Sequence, residues 1–121
     1  MSAIFDLITA EKTVEVLVDG KTFYLKILSG FERDVFESQW LSFKQEDSVI
    51  GIRAFMVAFC LSDVEGVKTF DSGEGSEATE EFLDCVKQVG DIPAGKLQPL
   101  FNAAMEKNGF SDEEVTELEK K

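Results

Sequence analysis

The residues that could do chemistry in this chain are mainly carboxylates: its 121 residues include 24 Asp and Glu, two Cys and no His. Without histidine there is no Ser-His or Cys-His nucleophile pair, and the commonest general base and zinc ligand is missing. Carboxylate pairs are numerous, but in so acidic a chain they usually belong to solvated faces. The stretch Gly73-Glu74-Gly75 lacks the third glycine and the strand-to-helix setting of a phosphate-binding loop. The sequence therefore predicts no enzyme, no catalytic residue and no cofactor.

A small, acidic, Phe-rich chain also raises the question of a calcium-binding helix–loop–helix site. Such a loop needs oxygen ligands at positions 1, 3 and 5, glycine at 6 and glutamate at 12. Gly66 at position 6 would make Leu61 the first ligand, and Gly75 there would make it Phe70. Neither side chain can bind calcium, so no dedicated metal site is expected.

The formal net charge of −12 disfavours nucleic acid and anionic membranes as partners, because both are negatively charged. It favours a basic or apolar protein surface, although an equally simple interpretation is that the charge keeps the chain soluble. The first residues lack the basic and long apolar regions of a secretion signal. Cys60 and Cys85 are therefore expected to be reduced core cysteines of a cytosolic protein.

The sequence pattern predicts the elements that must position these residues. They form an α+β, mainly α-helical fold, with residues 1–121 in a single domain. Its centre is a β-hairpin over residues 13–28, in which Asp19-Gly20 is a strong two-residue turn signal. Alternate residues of the two arms form apolar faces, namely Val14, Val16, Val18, Phe23, Leu25 and Ile27. Residues 4–8 are expected to form a short turn that packs onto the hairpin.

Apolar periodicity predicts that the hairpin packs on a bundle of about four helices, followed by a short C-terminal helix. The expected helices cover about 29–44, 48–61, 76–89 and 96–108, with a flexible acidic loop at 71–75 and a charged tail at 111–121. The second helix is apolar almost all round, which predicts that it lies at the centre of the core. The tail has only two apolar anchors, so it is expected to fray or to wait for a partner.

Several polar residues predict where these helices begin and end. Ser29 and Glu32 have the spacing of a capping box. Ser48, Ser76 and Ser111 are expected at the starts of the second, third and last helices, and Pro99 in the first turn of the fourth. Asn108-Gly109 is expected to end that fourth helix.

Eleven Phe, one Trp and one Tyr are many aromatic residues for a domain of this size. At helical spacing such residues are most often core, and those left over favour a protein-binding or self-association surface. The candidate partner or self-association surface consists of Phe31, Phe36, Trp40, Phe43, Val115 and Leu118.

The order of elements carries one further signal. The hairpin runs into Leu28-Ser29-Gly30-Phe31-Glu32, an apolar helix ends in residues 59–66 before an extended 67–70, and Asn108-Gly109-Phe110 precedes an acidic-basic tail. This order, over nearly the whole chain, resembles the tail assembly chaperones of long-tailed (siphovirus-type) bacteriophages.

The resemblance implies a non-enzymatic protein that coats the tape measure protein and helps recruit tail tube subunits during tail assembly. It also implies a homo-oligomer in the cytoplasm of the infected bacterial host, absent from the mature virion. Many such chaperones have a longer form made by −1 ribosomal frameshifting, which the ending Glu119-Lys120-Lys121 would suit if its codons are A-rich. The resemblance transfers no individual functional residue.

A second class of function is an acidic interaction module, a nucleic-acid mimic or inhibitor that binds a basic protein surface. It would present the run 112–119 together with Glu74, Glu77, Glu80 and Glu81. Such binding would weaken steeply with salt, whereas apolar binding of a helix would tolerate salt.

Overall fold

The computed structural model describes residues 11–46 and 51–120. Three antiparallel strands form one sheet in the order β1-β2-β3, with β1 at Thr13–Val18, β2 at Lys21–Lys26 and β3 at Leu61–Ser62. Within the residues that the structure describes, five helices accompany the sheet: α1 at Gly30–Glu46, α2 at Ile52–Cys60, α3 at Glu80–Gly90, α4 at Ala94–Lys107 and α5 at Asp112–Lys120. The predicted α+β, mainly helical class is confirmed. The predicted turn at residues 4–8 and the predicted cap at Ser48 lie outside the described residues.

The hairpin forms around the predicted turn. Asp19 and Gly20 both have positive φ, 53° and 74°, as a two-residue turn that follows the twist of the strands requires. Val16 pairs with Phe23 across the hairpin, which places the apolar faces of both arms on the same side of the sheet. Beyond the prediction, β3 pairs with β2 and makes a bridge to Lys68, in the segment expected to be extended.

Helix α2 lies at the centre of the core, as predicted. Eight of its nine residues are buried, and it packs on α3 and α4 and contacts α1 and β2. The Phe55 ring lies 5.5 Å from the rings of both Trp40 and Phe82 and 5.8 Å from that of Phe36, measured between centroids. These aromatic contacts join α1, α2 and α3.

Three predicted helix starts need correction. Helix α2 begins at Ile52, because Gly51 is extended at its N-cap position. Helix α3 begins at Glu80 rather than near Ser76, because the Thr79 hydroxyl accepts the hydrogen bond from the N–H of Phe82. Helix α4 begins at Ala94, which places Pro99 inside the helix, where it removes one backbone donor but does not end it.

Two predicted helix boundaries are confirmed by their hydrogen bonds. At the start of α1, the Ser29 hydroxyl accepts from the N–H of Glu32, and the Glu32 carboxylate accepts from the N–H of Ser29. At the end of α4, Gly109 has φ of 72°, and the N–H of Phe110 donates to the carbonyl of Met105. This is the Schellman arrangement that glycine permits.

Asn108 ties the end of α4 to the hairpin. Its Oδ1 accepts a hydrogen bond from the backbone N–H of Leu28 at 2.6 Å, and its Nδ2 donates to the carbonyl of Ala104 at 2.9 Å. The residue that ends α4 thus also fixes the chain between β2 and α1.

Candidate protein-binding surface

The structure divides the six residues of the predicted surface into two groups. Five of them lie in the core and are at most 7% exposed, namely Phe36, Trp40, Phe43, Val115 and Leu118. Phe31 is 86% exposed. The predicted surface is therefore wrong for the five buried residues in this conformation, and Phe31 is the one that a partner can reach.

The buried five belong to contacts among α1, α2 and α5. The indole N–H of Trp40 donates to the carbonyl of Leu118 at 2.9 Å, so α5 is docked on α1 rather than left as a free tail. Ser111 and Glu114 form the capping box that starts α5, and Arg33 of α1 makes an ion pair with Glu114. Hydrogen bonds from Ser111 and from Arg33 hold the pKa of Glu114 below its ordinary value.

Helical phase could have separated Phe31 from the core residues. At about 100° per residue, Trp40 and Phe43 lie within about 40° of Phe36 around α1, whereas Phe31 is about 140° away. Val35 is four residues after Phe31 and shares its face. The candidate aromatic residues of α1 therefore lie on two faces of the helix, and Phe31 on the second face is exposed.

The exposed face of α1 borders a cleft with a volume of about 300 Å³. Phe31 and Val35 line one side, and Phe59 of α2 and Lys68 of the segment after β3 complete the apolar part. The Lys68 ammonium lies 3.5 Å from the centroid of the Phe59 ring, a cation–π contact. Burial lowers the pKa of Lys68, although the neighbouring carboxylates oppose this effect.

The rim of this cleft is acidic. Glu32, Asp71 and Glu74 line it, and Asp34 is exposed on α1 three residues after Phe31. Glu32 makes an ion pair with Lys26. Burial raises the pKa of Glu32. The hydrogen bonds from Lys26 and Ser29, together with the positive charge of Lys26, outweigh burial and hold that pKa below its ordinary value.

The predicted flexible loop at 71–75 forms part of this rim and is held by several hydrogen bonds. The buried Gln39 side-chain amide of α1 lies within 3.0–3.2 Å of the carbonyl oxygens of Ser72, Gly73 and Gly75, to which it donates. The carbonyl of Ser72 also accepts from the N–H of Thr79. Sequence reasoning missed this because a polar residue in an amphipathic helix gives no sign of a distant backbone partner.

A second apolar cavity, of about 310 Å³, lies between the hairpin and the helices α2, α3 and α4. Phe23, Val57 and Leu100 are among its lining residues, and Asp19 and Lys96 form an ion pair of 2.6 Å beside it. We assign this cavity no partner.

The two cysteines are separate and reduced. Cys60 is fully buried, and burial raises the pKa of its thiol to about 12, while Cys85 is half-buried. Within residues 11–46 and 51–120, no group of three or more Cys, Asp or Glu residues is placed to hold a metal ion. None of the helices in these two ranges combines the length and the apolarity needed to cross a bilayer.

Comparisons with models of protein families, with curated proteins and with solved structures find no match. The order of elements in the sequence and the cleft beside Phe31 are therefore the two features that point to a function.

Proposed function

We propose that the chain is a non-enzymatic tail assembly chaperone of a long-tailed bacteriophage. In this role it coats the tape measure protein and helps recruit tail tube subunits while the tail is built. The resemblance in element order suggests this function, and the exposure of Phe31 beside an apolar cleft is the observation that carries it. The other aromatic side chains in the described ranges are buried or half-buried, which makes Phe31 an exception that a protein partner would explain.

The physical requirements of such a chaperone support the proposal. A protein that holds a long amphipathic helix needs exposed apolar contact residues, and a high net charge keeps it soluble before its client arrives. The cleft supplies the first, and the charge of −12 supplies the second. A small cleft also gives modest affinity per subunit, so that many copies can bind one client and later be displaced.

We also propose that the chaperone acts as a homo-oligomer in the cytoplasm of the infected bacterium and is absent from the mature virion. Neither nucleic acid nor a membrane is a partner in this proposal, and no cofactor takes part. A longer, frameshifted form belongs to the proposal only if the codons for Lys120 and Lys121 lie in an A-rich slippery run. The coding DNA tests that directly.

The test is complex formation with fragments of the tape measure protein encoded in the same genome. Size-exclusion chromatography with light scattering at about 0.1 M and about 1 M salt measures the mass of each mixture, since salt screens ionic but not apolar contacts. The proposal expects a complex at both salt concentrations. A matched fragment with its apolar positions changed to serine should not bind. The absence of any complex would refute the proposal.

The alternative function is an acidic module that binds a basic protein surface. One observation favours it: Glu74, Glu77, Glu80 and Glu81 are all exposed around the start of α3. Binding that is strong at low salt and lost at high salt would identify this function instead.

A further inference from the structure

We propose that the cleft beside Phe31 binds one large, uncharged apolar side chain of a partner helix whose neighbouring residues are basic. The inference rests on the proposed function in that it takes the natural partner to be a helical protein, and it adds the site and the chemistry of recognition.

The apolar part of the cleft is formed by Phe31, Val35 and Phe59. Phe31 leaves 86% of its surface in water, and Val35 extends the same apolar face by one turn. A volume of about 300 Å³ is at the lower end of ligand cavities. It therefore suits an anchor side chain such as leucine, methionine or phenylalanine rather than a whole helix. Aromatic residues, including phenylalanine, are enriched in protein interfaces, and residues that dominate binding lie in well-packed pockets.

Lys68 excludes a basic anchor, and the apolar side chains of Phe31 and Val35 favour an uncharged one. Its ammonium lies over the Phe59 ring at the floor of the cleft, and its alkyl chain adds to the apolar wall. A basic side chain entering the cleft would meet this positive charge at short range in a partly buried place, where repulsion is strong. The basic residues of the partner must therefore lie outside the floor.

The rim determines where those basic residues bind. Asp34, Asp71 and Glu74 make no ion pair with any basic side chain of residues 11–46 and 51–120. They lie around the cleft and on the adjacent face of α1, so lysine or arginine about one helical turn from the anchor can reach them. A second copy of this chain fits this rim poorly, because each copy carries a charge of −12.

The first experiment uses a synthetic 18-residue amphipathic helix of leucine and lysine as the probe, with a leucine–glutamate helix of the same length as the matched probe. Binding is measured by calorimetry with the full chain. We expect the leucine–lysine helix to bind and the leucine–glutamate helix not to bind. Equal binding of both helices, or no binding of either, would overturn the inference.

Variants then locate the binding site. We expect Phe31→Ser to weaken binding of the leucine–lysine helix at least about tenfold, the effect typical of a hot-spot residue. Leu17→Ser is the matched control, because Leu17 is 68% exposed on β1 and lies outside the cleft lining. Both replacements remove an exposed side chain, so neither should unfold the protein. Equal effects of the two variants would overturn the inference.

The charge of the rim has its own control. Glu74→Gln should weaken binding by about two- to fivefold at low salt and have little effect at high salt, as expected of a rim charge. Glu106→Gln removes an exposed carboxylate from α4, outside the cleft lining, and should have no comparable effect. If the two variants behave alike, binding reflects only the overall negative charge, and the proposed rim is refuted.

Failure of this inference and failure of the proposed function give different results. If the leucine–lysine helix binds through Phe31 but tape measure fragments do not bind, the cleft is correct and the proposed function is wrong. If tape measure fragments bind, but neither they nor the leucine–lysine helix respond to Phe31→Ser, the chaperone function stands and the cleft is refuted.

Discussion

Replacing Leu118 with alanine should lower the free energy of unfolding by about 2–3 kcal/mol, because Leu118 anchors α5 to the rest of the molecule. Its side chain is 6% exposed, and its carbonyl accepts the hydrogen bond from the Trp40 indole. Removal of the isobutyl group takes away buried apolar surface and leaves space beside that indole. A leucine in a rigid core costs up to about 5 kcal/mol on the same change. We expect less here, because α5 is a short helix that contacts mainly α1 and can shift to fill part of the space.

The measurement is urea unfolding followed by tryptophan fluorescence, since Trp40 is the single tryptophan of the chain and contacts α5 directly. The matched control is Glu117→Ala, which changes an exposed residue next to Leu118 on the same helix. The control should alter the free energy of unfolding by less than about 0.5 kcal/mol. A change this small for Leu118→Ala as well would mean that α5 is not docked in solution. The frayed tail expected from the sequence would then be correct.

Three further perturbations test other contacts. Asn108→Ala should cost about 1–3 kcal/mol of unfolding free energy in urea titrations, because the half-buried N–H of Leu28 loses its acceptor. Ser72→Ala should stabilise the protein by up to about 1 kcal/mol in the same assay, because the buried Ser72 hydroxyl has no hydrogen-bond partner among the described residues. The backbone carbonyl of residue 72, which accepts from Gln39, is kept in this variant. Between about pH 8 and pH 10 the wild type should lose about 1 kcal/mol more stability than Cys60→Ala. The Cys60 thiol keeps its proton in the fold up to a pKa of about 12, whereas the unfolded thiol ionises near its ordinary pKa of 9.0.

Each of these three predictions has a contrary outcome. For Asn108→Ala, the control is Asn102→Ala at an exposed position of α4, and equal costs would show that the link to Leu28 is unimportant. A loss of more than about 1 kcal/mol for Ser72→Ala would mean that its hydroxyl has a stabilising partner. Parallel pH profiles of the wild type and Cys60→Ala would show that the Cys60 thiol ionises as easily in the fold as in the unfolded chain.

Sequence reasoning succeeded where a structural signal is local. Asp19-Gly20 determines the hairpin turn through two positive φ angles, and Ser29 with Glu32 starts α1 through a reciprocal pair of hydrogen bonds. Helix α2 was placed at the core because its apolar residues surround it. None of these inferences needs information on distant parts of the chain.

Some of the errors come from contact between residues far apart in sequence. Gln39 holds the 71–75 loop from more than thirty residues away, and Trp40 holds α5 at a separation of 78. Strand β3 has only two residues, too few for a period of two to appear. In the candidate site, the aromatic residues of α1 were grouped by spacing alone, although their phase around the helix already separates Phe31 from Phe36.

The link between Asn108 and Leu28, together with that between Leu118 and Trp40, has a consequence for synthesis. On the ribosome the hairpin and α1 emerge before α4 and α5, and the partners that complete their packing lie 80 and 78 residues later in the chain. The part of Trp40 that α5 covers must therefore remain uncovered until α5 has been made. Contacts of such long range slow folding and prolong the time in which a nascent chain can aggregate. For this protein, α4 and α5 decide when the hairpin and α1, which are made before them, become stable.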